Sequence, residues 1–123
     1  MGPLQGVKVV EFSGIGPGPY CGMLLADLGA DVIRISRKET EGLENKFDIH
    51  NRSKRTITAD LKNKESVKEL LKLIGQVDVV FEGFRPGVME KLGLGPDECL
   101  KVNSKLVYGR MTGWGQELSL IHI

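Results

Sequence analysis

Residues 7–37 constrain this chain more than any other stretch, because they read as strand, glycine–proline turn, helix and second strand in immediate succession. Lys8-Val9-Val10-Glu11-Phe12 is a short run with the β-branched character of a strand. Gly14-Ile15-Gly16-Pro17-Gly18-Pro19 follows it. Cys21, Leu24, Leu25 and Leu28 then recur at i, i+3, i+4 and i+7, the apolar stripe of a helix. Gly29 closes that helix, and Asp31-Val32-Ile33-Arg34-Ile35 opens a second strand. Such a β-α-β unit binds nucleotide-like ligands at the carboxyl ends of its parallel strands. An NAD-binding unit places an acidic residue against a ribose hydroxyl about 20 residues beyond its glycines. This chain places Arg34 and Arg37 there instead. A cation suits a phosphorylated ribose, which points to coenzyme A (CoA) or an NADP-like molecule rather than NAD.

The alternation continues. Arg55-Thr56-Ile57-Thr58 is a short strand leading into Ala59-Asp60-Leu61-Lys62. Val67, Leu70, Leu71 and Ile74 mark an amphipathic helix that Gly75 stops. Val77-Asp78-Val79-Val80-Phe81 is nearly continuous in apolar residues, as in a strand covered by helices on both faces. It runs into Glu82-Gly83-Phe84-Arg85-Pro86-Gly87. Pro96 opens a short helix with Asp97 and Glu98 in its first turn. Leu106-Val107-Tyr108 is a further strand, ending in Arg110-Met111-Thr112-Gly113-Trp114-Gly115. The pattern predicts an α/β fold with a mostly parallel sheet. Residues 38–54 are polar and weakly patterned, and read as a surface loop or a flap over a ligand.

Bulk properties narrow the function. At 123 residues the chain fits one domain with its own core. Lys+Arg 17 against Asp+Glu 16 gives no electrostatic reason to expect nucleic acid or an anionic membrane as partner. No apolar run reaches the roughly 18 residues that span a bilayer. The start, Met1-Gly2-Pro3-Leu4-Gln5-Gly6, lacks the regions of a signal peptide, so a cytoplasmic, mitochondrial or peroxisomal matrix location is expected. Cys21 and Cys99 make no disulfide framework, and two histidines, His50 and His122, are too few and too badly spaced for a metal site. Cys21 is read either as a nucleophile activated by the helix dipole or as a small apolar residue on the buried stripe. The second reading is preferred, since no histidine lies nearby in sequence.

The glycine motif is not itself a phosphate site. Gly14-x-Gly16-x-Gly18 departs from G-x-G-x-x-G, and Pro17 and Pro19 remove two N–H groups that a phosphate would use. Phosphate contacts should therefore come from side chains. Strand alternation puts Arg34 in register with Val32 or outside the core, whereas Arg37 lies past the strand and can reach over the sheet edge. Arg37 is thus the better ligand candidate. Lys62 adjoins Asn63, a plausible helix N-cap, and reads as either a ligand contact or bare surface. Arg85, between Phe84 and Pro86, offers a fixed cation beside an aromatic ring, suited to adenine stacking with a phosphate contact.

Taken in order, residues 6–19, 25–35, 59–62 (Ala-Asp-Leu-Lys), 82–96 (from Glu-Gly-Phe-Arg-Pro-Gly) and 110–116 (Arg-Met-Thr-Gly-Trp-Gly-Gln) resemble the amino-terminal part of the family III CoA-transferase group. Within it they most resemble the α-methylacyl-CoA racemase branch. The resemblance implies a Rossmann-like, mostly parallel sheet with flanking helices, forming part of a larger domain. Residues 1–116 would be its amino-terminal part and residues 117–123 a tail outside the family, read as a truncation. It implies that Arg37 meets the phosphorylated nucleotide end of CoA, and that Ala59, Asp60, Leu61 and Lys62 run along the same ligand. Gly83, Phe84 and Arg85 would line the groove. Lys91 stands where relatives often carry arginine, keeping the charge but losing the bidentate fork.

The resemblance also implies the chemistry: a racemase that removes and returns the α-proton of a 2-methylacyl-CoA thioester. The alternatives are a transferase that moves CoA between carboxylic acids, or an inactive fragment. CoA belongs to the substrate, so no separate cofactor and no metal are expected; the partners are an acyl-CoA thioester and a second copy of the chain. The family's catalytic histidine, in a Gly-His-Asp-Ile-Asn-Tyr type motif, and its later aspartate have no counterpart in this sequence. His122 has the wrong neighbours for that base. No catalytic residue is assigned, and the 123 residues alone are expected to be inactive.

Overall fold

The computed structural model describes residues 2–37 and 49–117. Most of the 38–54 loop and the end of the expected tail lie outside the described residues. Five strands, β1 (Lys8–Phe12), β2 (Asp31–Arg37), β3 (Lys54–Ala59), β4 (Val79–Glu82) and β5 (Val107–Arg110), form one sheet in the order β3-β2-β1-β4-β5. Every pairing is parallel. Among the described residues four α-helices flank the sheet: α1 (Pro17–Asp27), α2 (Lys64–Ile74), α3 (Val88–Lys91) and α4 (Pro96–Val102). The α/β, Rossmann-like expectation is met. Because the strand order reverses direction at β1, a crevice opens between the carboxyl ends of β1 and β4, the place where such sheets bind ligands.

Alternation along the strands builds two cores. Val10, Phe12, Ile33 and Ile35 face α2, α3 and α4, packing with Leu70, Ile74, Met89, Leu94 and Cys99. On the opposite face Val9, Val32 and Phe81 pack with Cys21, Leu25 and Ala26 of α1. Local chemistry fixes the helix starts. Asn63 caps α2, its Oδ1 accepting from the N–H groups of Glu65 (2.9 Å) and Ser66 (3.2 Å). Pro96 occupies the first turn of α4 with Asp97 and Glu98, as predicted. Gly16 precedes α1 at φ +78°, a conformation that L side chains rarely adopt, and Pro17 then starts the helix.

Three expectations are corrected. The stripe of Cys21, Leu24, Leu25 and Leu28 is not the buried face of α1, since Leu24 and Leu28 are 43% and 45% exposed. Gly18, Pro19, Gly22 and Met23 face inward instead. The cause is what lies beneath: a Cβ on Gly22 would fall 1.8 Å from Glu11 Oε1 and 2.9 Å from Lys54 Nζ, so only glycine lets the helix sit there. Lys54 is likewise not part of a polar surface loop, because it begins β3 with a fully buried side chain. Arg34 does not lie outside the core: it is buried within β2, opposite Glu11 in the strand register.

Candidate functional site

The carboxyl end of the sheet gathers the predicted residues unevenly. Arg37 ends β2 and holds its guanidinium 5.0 Å above the centre of the Phe84 ring. That is cation–π distance, and it joins two strands' ends across the crevice. The cation on Phe84 is thus Arg37 rather than its sequence neighbour Arg85, which is exposed in the turn before α3. Ala59 stands opposite Arg37 in the β2–β3 register.

The other predicted residues spread outward from this platform. Asp60 Oδ1 accepts the Lys62 N–H at 3.1 Å, shaping a turn that ends in the Asn63 cap. Lys62 itself is exposed just ahead of that cap. Leu61 is buried in the larger core. Gly83 is exposed, with Met111 Cβ 3.6 Å from where a Cβ would stand. Lys91 is exposed at the end of α3. Arg37, Ala59 and Phe84 therefore form a centre, with Lys62, Arg85 and Lys91 as exposed cations around the same end.

Two polar networks escaped the sequence reading. Under α1, Lys54 Nζ lies 2.7 Å from Glu11 Oε1 with both side chains fully buried, and it donates to the Pro19 carbonyl at 3.0 Å. Burial pushes the Glu11 carboxyl above its ordinary range, outweighing Lys54 and the nearby charge of Arg34. Between β4 and β5, Arg110 bridges Glu82 and Glu90. Arg110 holds the Glu90 carboxyl below its ordinary range through these hydrogen bonds. The signal for both was a charged residue inside or ending a strand of otherwise apolar residues, at Glu11, Glu82 and Arg110.

Cys21 behaves as the apolar reading supposes. Burial, then Glu11, push its thiol up rather than down, which argues against a nucleophile. Among the described residues no helix is long and apolar enough to cross a membrane.

A parallel α/β sheet with a cation–aromatic pair at the carboxyl ends of its strands defines a Rossmann-like class, and the comparisons with known proteins specify the family. The chain belongs to CoA-transferase family III, whose sequence profile matches residues 4–119. It is 49% identical over 113 residues to the alpha-methylacyl-CoA racemase of Mus musculus, covering 92% of this chain and 29% of that protein. It is 40% identical over 126 residues to the probable fatty acyl-CoA transferase Rv3272 of Mycobacterium tuberculosis, covering 92% of this chain and 32% of that one. A crystal structure of Rv3272 superposes with a TM-score of 0.89 at 37% identity, over 97% of this chain and 36% of the other. The chain thus spans about a third of the length of the relatives it matches.

Proposed function

We propose that these residues form the CoA-binding part of a 2-methylacyl-CoA racemase. The observation that carries the reading is the Arg37 guanidinium held over Phe84 at the carboxyl end of the sheet. An adenine can stack beside that ring while the guanidinium takes a ribose phosphate by charge-assisted hydrogen bonds. Lys62, Arg85 and Lys91 supply further positive charge along the pyrophosphate. Likeness to the mouse racemase supports isomerisation. In that reaction the thioester carbonyl acidifies the α-hydrogen, one base removes it, and an acid on the other face of the enolate returns a proton. The family's histidine and aspartate for these steps match nothing in residues 1–123, so we assign them to a longer protein carrying this sequence.

Likeness to Rv3272 supports a second reading, in which the same groove passes CoA between carboxylic acids. Deuterium exchange separates the two. The protein carrying this sequence should exchange the α-hydrogen of a 2-methylacyl-CoA with solvent deuterium when no acceptor acid is present. Exchange that appears only with an added acid, alongside transfer of CoA to it, would replace the racemase reading with the transferase one.

A further inference from the structure

The backbone of Phe84 is held by a chain of charges that starts on a buried carboxylate and ends on an exposed one. The Phe84 N–H donates to Glu82 Oε2 at 2.9 Å. Glu82 ends β4 and its side chain is 1% exposed, so it cannot rely on water for its charge. Its other oxygen, Oε1, accepts from Arg110 Nε at 3.0 Å. Arg110 ends β5 directly opposite Glu82 in the strand register. The rest of the guanidinium forks onto Glu90 of α3, Nη1 to Oε2 at 3.0 Å and Nη2 to Oε1 at 2.7 Å. It also lies 5.7 Å over the Tyr108 ring, whose hydroxyl donates to the Leu94 carbonyl at 2.8 Å. One side chain therefore ties the loop carrying Gly83, Phe84 and Arg85 to the helix carrying Lys91.

We infer that Arg110 is a positioning residue for the CoA groove, fixing through Glu82 the direction of the Phe84 ring and through Glu90 the seat of α3. The inference rests on the CoA reading above. All three of Arg110's guanidinium nitrogens are engaged by the carboxylates of Glu82 and Glu90, so it acts through Phe84 rather than as a ligand contact. Without it the Glu82 carboxylate is left buried with no cation against it, and turning towards water would break the bond that holds Phe84. Lysine keeps the charge yet cannot reach both carboxylates as a planar fork.

The test uses Arg110→Met, Arg110→Lys, Glu90→Gln and Arg37→Ala in the protein carrying this sequence. Titration calorimetry with CoA and dephospho-CoA is paired with amide exchange at Phe84. Arg110→Met should weaken both ligands by the same factor, about tenfold or more, the size of one hydrogen bond to a charged group. Exchange at Phe84 should accelerate while amides of β1 and β2 keep their protection, a local change that general destabilisation would not produce. Arg110→Lys should recover less than half of the lost affinity on a logarithmic scale. Arg37→Ala should weaken CoA far more than dephospho-CoA. Unchanged affinity and unchanged Phe84 exchange in folded Arg110→Met would overturn the inference while leaving the CoA reading intact. Should Arg110→Met not fold, Glu90→Gln is the second variant. It loosens only the fork and should still weaken both ligands equally; equal binding by Glu90→Gln and wild type would overturn the inference. If wild type binds neither ligand, the CoA reading fails, and Phe84 exchange alone still decides what Arg110 does.

Discussion

Replacing Lys54 by methionine should expose how much of this fold hangs on one buried ion pair. The lysine is fully buried, 2.7 Å from Glu11 Oε1, and its second contact is the Pro19 carbonyl in α1. Methionine fills much of the same volume, so little of the loss comes from a cavity. What remains is a carboxylate in the interior without its main counter-charge, which costs about 3–5 kcal/mol when a buried pair is broken on one side. Arg34 lies opposite Glu11 in the register and continues to oppose the charge, so the low end, about 3 kcal/mol, is expected at neutral pH. Against the roughly 5–15 kcal/mol that holds a typical domain, that is a large share. The pH dependence carries the sign. Glu11 is already raised above 4.5 by burial, and removing Lys54 raises it further. Below the ordinary carboxylate value Glu11 is protonated in both folded and unfolded chains, and the variant should lose little. Ionisation of the unfolded chain is common to both proteins, so the deficit grows from the wild-type folded value of Glu11 up to the variant's higher one. Adding Glu11→Gln to Lys54→Met removes the stranded charge and should recover at least ~1 kcal/mol at neutral pH. Urea melts followed by circular dichroism from about pH 4 to pH 7 measure all of this. A Lys54→Met deficit under about 0.5 kcal/mol, or one that stays flat across that range, would refute a buried ionised pair.

Two further outcomes follow from single sites. Arg37→Ala should cost about 1.5–3 kcal/mol of CoA affinity, with a much smaller loss for dephospho-CoA, and equal losses for the two ligands would show a structural role instead. Cys99 is buried against the Leu94 carbonyl at 3.4 Å and its thiol is pushed up to about 11, so a thiol reagent near pH 8 should label it only at the rate at which the fold opens. Fast labelling in a folded sample would contradict its placement.

The parts of this structure that were legible in the sequence are those governed by local pattern. Every strand core was visible as a β-branched or apolar run, and Asn63 and Pro96 marked their helix starts by side-chain chemistry that acts within a turn. What was not legible depends on contacts between residues far apart in the chain. The α1 stripe had the right period and the wrong phase, because periodicity reports that a helix has an apolar side, not that the sheet will accept it. Here Glu11 and Lys54, 43 positions apart, take the space under the helix, and Gly22 is the residue that fits over them. The site divides the same way. Arg37 and Phe84 were each legible as a residue suited to a nucleotide, yet their stacking follows from a strand order that places β1 between β2 and β4. Arg110 read as one more cation at a strand end, like Arg37. Only the parallel β4–β5 register turns it inward onto Glu82 and makes it a partner of the loop that carries Phe84. Chemistry at a strand's carboxyl end therefore marks candidate residues, and sheet order decides which of them meet one another.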